Sequence, residues 1–196
     1  MNFYNVRITY LLIAFLLSAT FVQSQTSGKI VSAILSVESL KNPGDENPSR
    51  KISVYLPPGY DAGNKRYPVI YYLHGFMGND SIYPGMKAIL DVAIQRQKIR
   101  PFILVIADHF TLYSGSFYSN SSLTGNWTDF TAKDLTAYMD KNFRTIPGKE
   151  GRGIAGHSMG GYGAIKTAMI YPDVFNSLYA LSPGLLAFVK EFGPNS

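Results

Sequence analysis

The chain has 196 residues, a formal net charge of +5 and no cysteine. The length fits one domain of ordinary size, and 46% hydrophobic against 16% charged residues is too apolar a balance for a disordered chain. The missing cysteines exclude a disulfide scaffold, a thiolate nucleophile, a cysteine-ligated zinc or iron–sulfur centre and a lipidated N-terminal cysteine.

Residues 1–24 have the pattern of a secretory signal peptide. Arg7 supplies the positive start, Ile8 to Leu17 is apolar and uncharged, and Val22-Gln23-Ser24 precedes a cleavage point before Gln25. The alternative is an N-terminal membrane anchor, for which the stretch from Ile8 to Val22 is short and carries Ser18 and Thr20. Cleavage would remove Arg7 alone among the charges and place the product in the periplasm or outside the cell, with no membrane span remaining. Residues 25–196 then form the working part of the chain.

Ile30 to Val37 is apolar and β-branched, which predicts a strand. Residues 41–48 are dense in turn formers, Lys51 to Leu56 alternates as a second strand, and Pro57-Pro58-Gly59 stops it. Together these predict an antiparallel pair. Pro68 to Leu73 is continuously apolar, as a strand covered on both faces is. Met86 to Ile99 has helical spacing with Ile89, Leu90, Ala93 and Ile94 on the packing side. A buried strand is expected at Phe102 to Ala107, a helix at Asp129 to Phe143, a short strand at Arg152 to Ala155, a helix at Gly160 to Ile170 and a strand at Ser177 to Leu181. This alternation predicts an α/β domain with a mostly parallel sheet and helices on both faces. The long connection from Asp108 to Thr128 carries Tyr113, Phe117, Tyr118 and Trp127; it is either a packed loop lining a site or a surface excursion.

The sequence pI of about 9.3 raises the question of nucleic acid. The 18 Lys and Arg are scattered, with no run longer than two, so there is no stripe to follow a phosphate backbone. No cofactor is expected, and three separated histidines without cysteine offer no metal-ligand cluster. Asn79, Asn120 and Asn126 stand in Asn-X-Ser/Thr patterns, which matter only in a source that glycosylates exported proteins.

The chemistry concentrates at Gly156-His157-Ser158-Met159-Gly160. A strand precedes this G-x-S-x-G and a Gly- and Ala-rich helix follows, the setting of a nucleophile elbow. The tight turn strains Ser158 and leaves no room for a side chain at Gly156 or Gly160, while Gly161 and Gly163 let the helix approach the sheet. The helix N-terminus behind Ser158 favours developing negative charge. Two backbone N–H groups are candidates for an oxyanion hole: Met159, after the serine, and Phe76, in the His74-Gly75-Phe76 turn that follows a buried strand. His74 and His157 are expected to be structural, with the His157 ring pointing away from Ser158. His109 is expected in a loop or a pocket wall.

These segments resemble the Putative esterase (esterase D-like) family of α/β-hydrolases, which includes feruloyl and acetyl-xylan esterases, S-formylglutathione hydrolases and mycolyltransferases. The resemblance runs from about Ile30 to the end. It is carried by Val54-Tyr55-Leu56-Pro57-Pro58-Gly59-Tyr60, Tyr67 to Gly75, Asp134-Leu135, Phe143-Arg144-Thr145-Ile146, Arg152 to Ala164, Pro172-Asp173-Val174-Phe175 and Leu181-Ser182-Pro183. It implies the α/β-hydrolase fold, Ser158 as nucleophile, and Phe76 and Met159 as oxyanion donors. One departure stands out. The fold places an acid and a histidine after the nucleophile. Beyond Ser158 this chain has no histidine, and its only carboxylates are Asp173, too early for the acid, and Glu191. The expectation is the N-terminal part of a longer esterase, lacking the last strands and helices and inactive alone, with an exposed apolar sheet edge and poor solubility. A secreted serine esterase acting on acetyl or feruloyl esters of carbohydrates leads the readings. An acyltransferase of the mycolyltransferase type and a non-catalytic binding module with a hydrolase fold are the alternatives.

Overall fold

The computed structural model describes residues 27–82 and 84–184. The signal-peptide expectation and Glu191 lie outside these residues. A six-stranded sheet is built from β1 (Lys29–Ser36), β2 (Ser49–Leu56), β3 (Val69–Leu73), β4 (Ile103–Ala107), β7 (Arg152–His157) and β8 (Ser177–Leu181), in the order β1-β2-β4-β3-β7-β8. The intervening β5 (Asn120–Ser121) and β6 (Gly125–Asn126) form a separate two-stranded ribbon. In the six-stranded sheet β1 pairs antiparallel with β2, and β2 antiparallel with β4, whereas its remaining pairings are parallel; the β5–β6 ribbon is antiparallel.

Period-two alternation divides the core into two clusters. Val69, Tyr71, Leu73, Ile103, Val105 and Ala107 face one side, with Trp127, Phe130, Leu135 and Met139. Leu104 and Ile106 face the other, with Tyr55, Ile82 and Ile94. The first side is covered by α2, composed of Trp127–Asp129, a wide π turn at Phe130–Asp134 and Leu135–Asn142, and by α3 (Met159–Ile170). The second is covered by α1 (Pro84–Gln95). The expectation of helices on both faces of a mostly parallel sheet therefore holds. Among the described residues no helix is long and apolar enough to cross a membrane. Among the described residues β8 is the outermost strand on its side, with Leu178, Tyr179 and Leu181 exposed.

On the expected Met86–Ile99 helix Ile94 is buried, Leu90 packs against the core and Ala93 is half-buried, as expected, but the end of the helix and Ile89 require correction. The helix ends at Gln95, Ile89 is 71% exposed, and the buried residues are Asp91 and Ile94. The reason is a polar anchor. The Asp91 carboxylate accepts hydrogen bonds from the Gly28 N–H (2.9 Å), the Tyr55 hydroxyl (2.8 Å), the Ser27 hydroxyl (2.9 Å) and the Lys87 ammonium (2.7 Å). Burial raises the Asp91 pKa, but the bonds to Lys87, Tyr55, Gly28 and Ser27 outweigh it and hold the carboxyl below its ordinary range. Asp91 thus shares the inner side of the helix with Leu90 and Ile94, and Ile89 turns outward. We expect Asp91→Asn to lose about 2–3 kcal/mol at pH 7, read from urea unfolding, because a charge-assisted network is broken and buried partners are left unmatched. The depressed folded pKa makes this contribution fully present above the unfolded carboxyl's pKa near 4 and lost as pH falls through the lower folded value. The gap between wild type and variant should therefore narrow on acidification below pH 4.

Candidate active site

The connectivity decides where a site can form. From β3 the chain passes through α1 to β4 on one side, whereas from β7 it passes through α3 to β8 on the other. Neighbouring parallel strands whose onward connections diverge leave a crevice at their C-terminal ends. Leu73 of β3 stands opposite Gly156 of β7, so the His74-Gly75-Phe76 turn and the 156–160 elbow leave the sheet side by side. A β-carbon built on Gly75 would lie 3.7 Å from Ser158 Cβ.

Ser158 caps α3 with φ 56° and ψ −118°, the strained backbone anticipated from the motif. Its N–H donates to the Leu181 carbonyl (3.0 Å), and its carbonyl accepts from the Tyr162 N–H (3.1 Å) and the Gly184 N–H (3.1 Å). β8 and the residues after it therefore help hold the turn. A β-carbon on Gly156 would overlap the Gly160 carbonyl, and one on Gly160 would overlap the Leu73 carbonyl, so both positions exclude any larger residue. Gly161 approaches the Leu181 carbonyl and Pro183, in keeping with close helix–sheet packing. Gly163 does not: its missing side chain makes room for the Tyr118 ring.

Strain collects around this serine. Of the eight described non-glycine residues with positive φ, six are Met77, Ser114, Phe117, Tyr118, Ser158 and Ser182, in the elbow, the turn after β3, the 108–128 connection and the end of β8. Such conformations cost free energy and persist where surrounding packing enforces them.

The 108–128 connection is packed rather than a surface excursion. Tyr118 and Trp127 are fully buried, although Tyr113 is exposed. The Ser114 carbonyl accepts the Met77 N–H (3.0 Å), and the Phe117 ring lies 5.9 Å from that of Phe76. A β-carbon on Gly115 would meet Met159 Sδ at 2.5 Å and Phe76 Cδ2 at 3.1 Å. A buried ion pair secures the start of the connection: Arg50 bonds Glu46 (3.1 Å) and the Phe110 carbonyl (2.8 Å), while Glu46 accepts the Leu112 N–H (2.6 Å).

Neither the Phe76 nor the Met159 N–H donates to an acceptor among the described residues. Met159 is 2% exposed, whereas the Phe76 side chain is 49% exposed. Met159 is the first residue of α3, where the positive end of the helix dipole favours negative charge. Among the described residues no imidazole or carboxylate bonds the Ser158 hydroxyl, and no group of three metal-ligating side chains occurs.

The three described histidines have separate fates. His74 is buried and bonds the Gly75 carbonyl, as a structural histidine should. His109, expected in a loop or pocket wall, lies in the loop after β4 and is fully buried among the rings of Tyr118, Trp127 and Phe130, bonding the Ala107 carbonyl (3.0 Å) and Thr131 (2.9 Å). Burial, then the neighbouring His74, pushes its pKa well below the ordinary value. His157 is exposed and borders a hollow of about 160 Å³ with Tyr72, His74, Phe76, Asn79 and Ser81, of which Ser158 is not a lining residue. Sequence reasoning missed Tyr118 and Ser114 as supports of the turn after β3; nothing in their local sequence marks the role.

A family model described as Putative esterase matches residues 46–188. Esterase Rv1288 of Mycobacterium tuberculosis (strain ATCC 25618 / H37Rv) is 34% identical over 148 residues, covering 72% of this chain and 30% of that protein. The Endo-1,4-beta-xylanase/feruloyl esterase of Xylanibacter ruminicola is 35% identical over 147 residues, covering 67% of this chain and 19% of that protein. The chain thus spans less than a third of the length of either relative. Among solved structures, a ferulic acid esterase superposes with a TM-score of 0.70 at 25% identity, covering 81% of this chain and 59% of that one. An S-formylglutathione hydrolase from Agrobacterium tumefaciens does so with a TM-score of 0.62 at 20% identity, covering 87% and 66%. The fold is that of the α/β-hydrolases, and the chain belongs to the Putative esterase family.

Proposed function

We propose that the chain carries the nucleophile half of an exported serine esterase. The observation that carries this reading is Ser158 at φ 56°, at the tip of a strand–turn–helix, with the Phe76 and Met159 amides finding no acceptor among the described residues. In the reaction, Ser158 Oγ attacks the ester carbonyl while the Phe76 and Met159 N–H groups receive the charge developing on its oxygen. The tetrahedral species expels the alcohol and leaves an acyl-serine, which water hydrolyses to free acid and regenerated serine. An unassisted hydroxyl is a poor nucleophile at neutral pH, so the step needs a base to take the serine proton. In this reading an acid and a histidine carried by a longer chain complete the triad. The substrate class in this reading is acetyl or feruloyl esters of carbohydrates, and the similarity to a protein named as a feruloyl esterase supports the feruloyl member of that pair. The pattern of residues 1–24 supports action outside the cytoplasm.

Covalent labelling of the full-length natural protein tests the reading. A fluorophosphonate should add one adduct, mapped by peptide mass to the fragment containing Ser158. Labelling at another residue, or none from protein that is folded by circular dichroism, would sink it.

A further inference from the structure

Resting on that esterase reading, we infer that His74 is a positioning residue for the oxyanion hole: its ring fixes the peptide plane that presents the Phe76 N–H. The argument begins with tautomer. The His109 backbone N–H donates to His74 Nε2 at 2.9 Å, so Nε2 carries a lone pair. His74 Nδ1 lies 2.8 Å from the Gly75 carbonyl oxygen, an acceptor only, so Nδ1 carries the proton. The ring is a neutral Nδ1–H imidazole, donating at one edge and accepting at the other.

The Gly75 carbonyl also accepts the Gly78 N–H at 3.0 Å, which closes a four-residue turn. Met77 sits at φ 60°, as the third position of a type II turn requires. No peptide bond among the described residues is cis. In a trans peptide the C=O and the following N–H point in opposite directions. The Gly75 carbonyl, held inward by two donors, therefore sends the Phe76 N–H outward, away from the turn. Gly78 has no side chain because the His74 ring occupies that space: a β-carbon there would stand 2.9 Å from Nδ1.

The backbone of His74 is held as well. The buried Tyr118 hydroxyl donates to the His74 carbonyl at 2.9 Å, and burial keeps that hydroxyl protonated. Tyr118 thus links the 108–128 connection to the same turn. Through these bonds His74 acts on the position of an amide without touching substrate.

Two substitutions separate the edges of the ring. Asparagine can place its Nδ2–H near the position of Nδ1 and keep the bond to Gly75. Glutamine can reach the His109 N–H with Oε1 but cannot donate at the Nδ1 position. On full-length enzyme hydrolysing a p-nitrophenyl ester, we expect His74→Gln to lower kcat about 100-fold with KM changed less than threefold, as loss of one oxyanion donor does. His74→Asn should stay within about tenfold of wild type. Equal losses in both, or a fall expressed in KM, would overturn the assignment. Should His74→Gln fail to fold by thermal melting, His74→Asn decides instead: it keeps a donor at the Nδ1 position, so a folded variant with kcat lowered about 100-fold would overturn the assignment. A Ser158→Ala control separates the two claims, because activity surviving there refutes the esterase reading, whereas its loss with a fully active His74→Gln refutes only this one.

Discussion

Ser158→Ala is expected to lower kcat on an activated ester by about 10⁴- to 10⁶-fold in the full-length enzyme, with KM little changed. In the proposed reaction the hydroxyl forms the bond to the acyl carbon, so its interaction belongs to the transition state and not to ground-state binding. Residual turnover would come from the two amides and from substrate orientation. A companion variant makes the expectation more specific. Ser158 has φ 56° and ψ −118°, a conformation that glycine adopts with far less strain. Ser158→Gly should be equally inactive yet more stable than Ser158→Ala by about 1 kcal/mol, measured by urea unfolding. Turnover within tenfold of wild type in either variant would remove Ser158 from the chemistry. Equal stability of the two would mean that the strain is relieved in solution.

The second large effect belongs to Gly160. A β-carbon there would overlap the Leu73 carbonyl and approach the His74 carbonyl oxygen to 2.7 Å. Relief would require moving the end of β3, which is pinned by pairing with β7 and fixes the turn carrying Phe76. Backbone cannot swing aside as a flexible side chain can, so Gly160→Ala should cost about 3–5 kcal/mol or prevent folding. Gly85→Ala is the matched control. Gly85 lies in the first turn of α1 with nothing within 4 Å of an added β-carbon. Its substitution should be neutral or stabilising by up to about 1 kcal/mol. Comparable unfolding midpoints for the two variants would refute the steric account of the elbow.

These residues also show what was legible in the sequence. The elbow could be read because its constraint is local: five consecutive residues, two of them glycines forced by backbone contact, define the turn without reference to the rest of the chain. β8 was found with its full bounds, and β4 to within one residue, because a short apolar run between turn formers has few other uses. Three features were hidden. Ile89 was assigned to the packing side of its helix because hydrophobic periodicity cannot register an aspartate whose partners, Gly28 and Tyr55, are 63 and 36 residues away in the chain. The helix expected to start at Asp129 begins at Trp127 and contains a π turn, and His109 and Thr131 bond across it. Local patterns register none of these long-range pairings. Tyr118 gave no local sign that its hydroxyl meets the carbonyl of a residue 44 positions earlier.

The four-donor anchor at Asp91 has a practical reading for anyone trimming this chain. Two of its donors, the Ser27 hydroxyl and the Gly28 N–H, precede the first residue of β1. A recombinant version begun at Lys29 would preserve every strand and helix described above, yet strip two donors from a buried carboxylate. The free amino terminus would also sit beside that acid. The place to cut is therefore set by one side chain 63 residues downstream of Gly28, and a tag or protease site belongs ahead of Ser27.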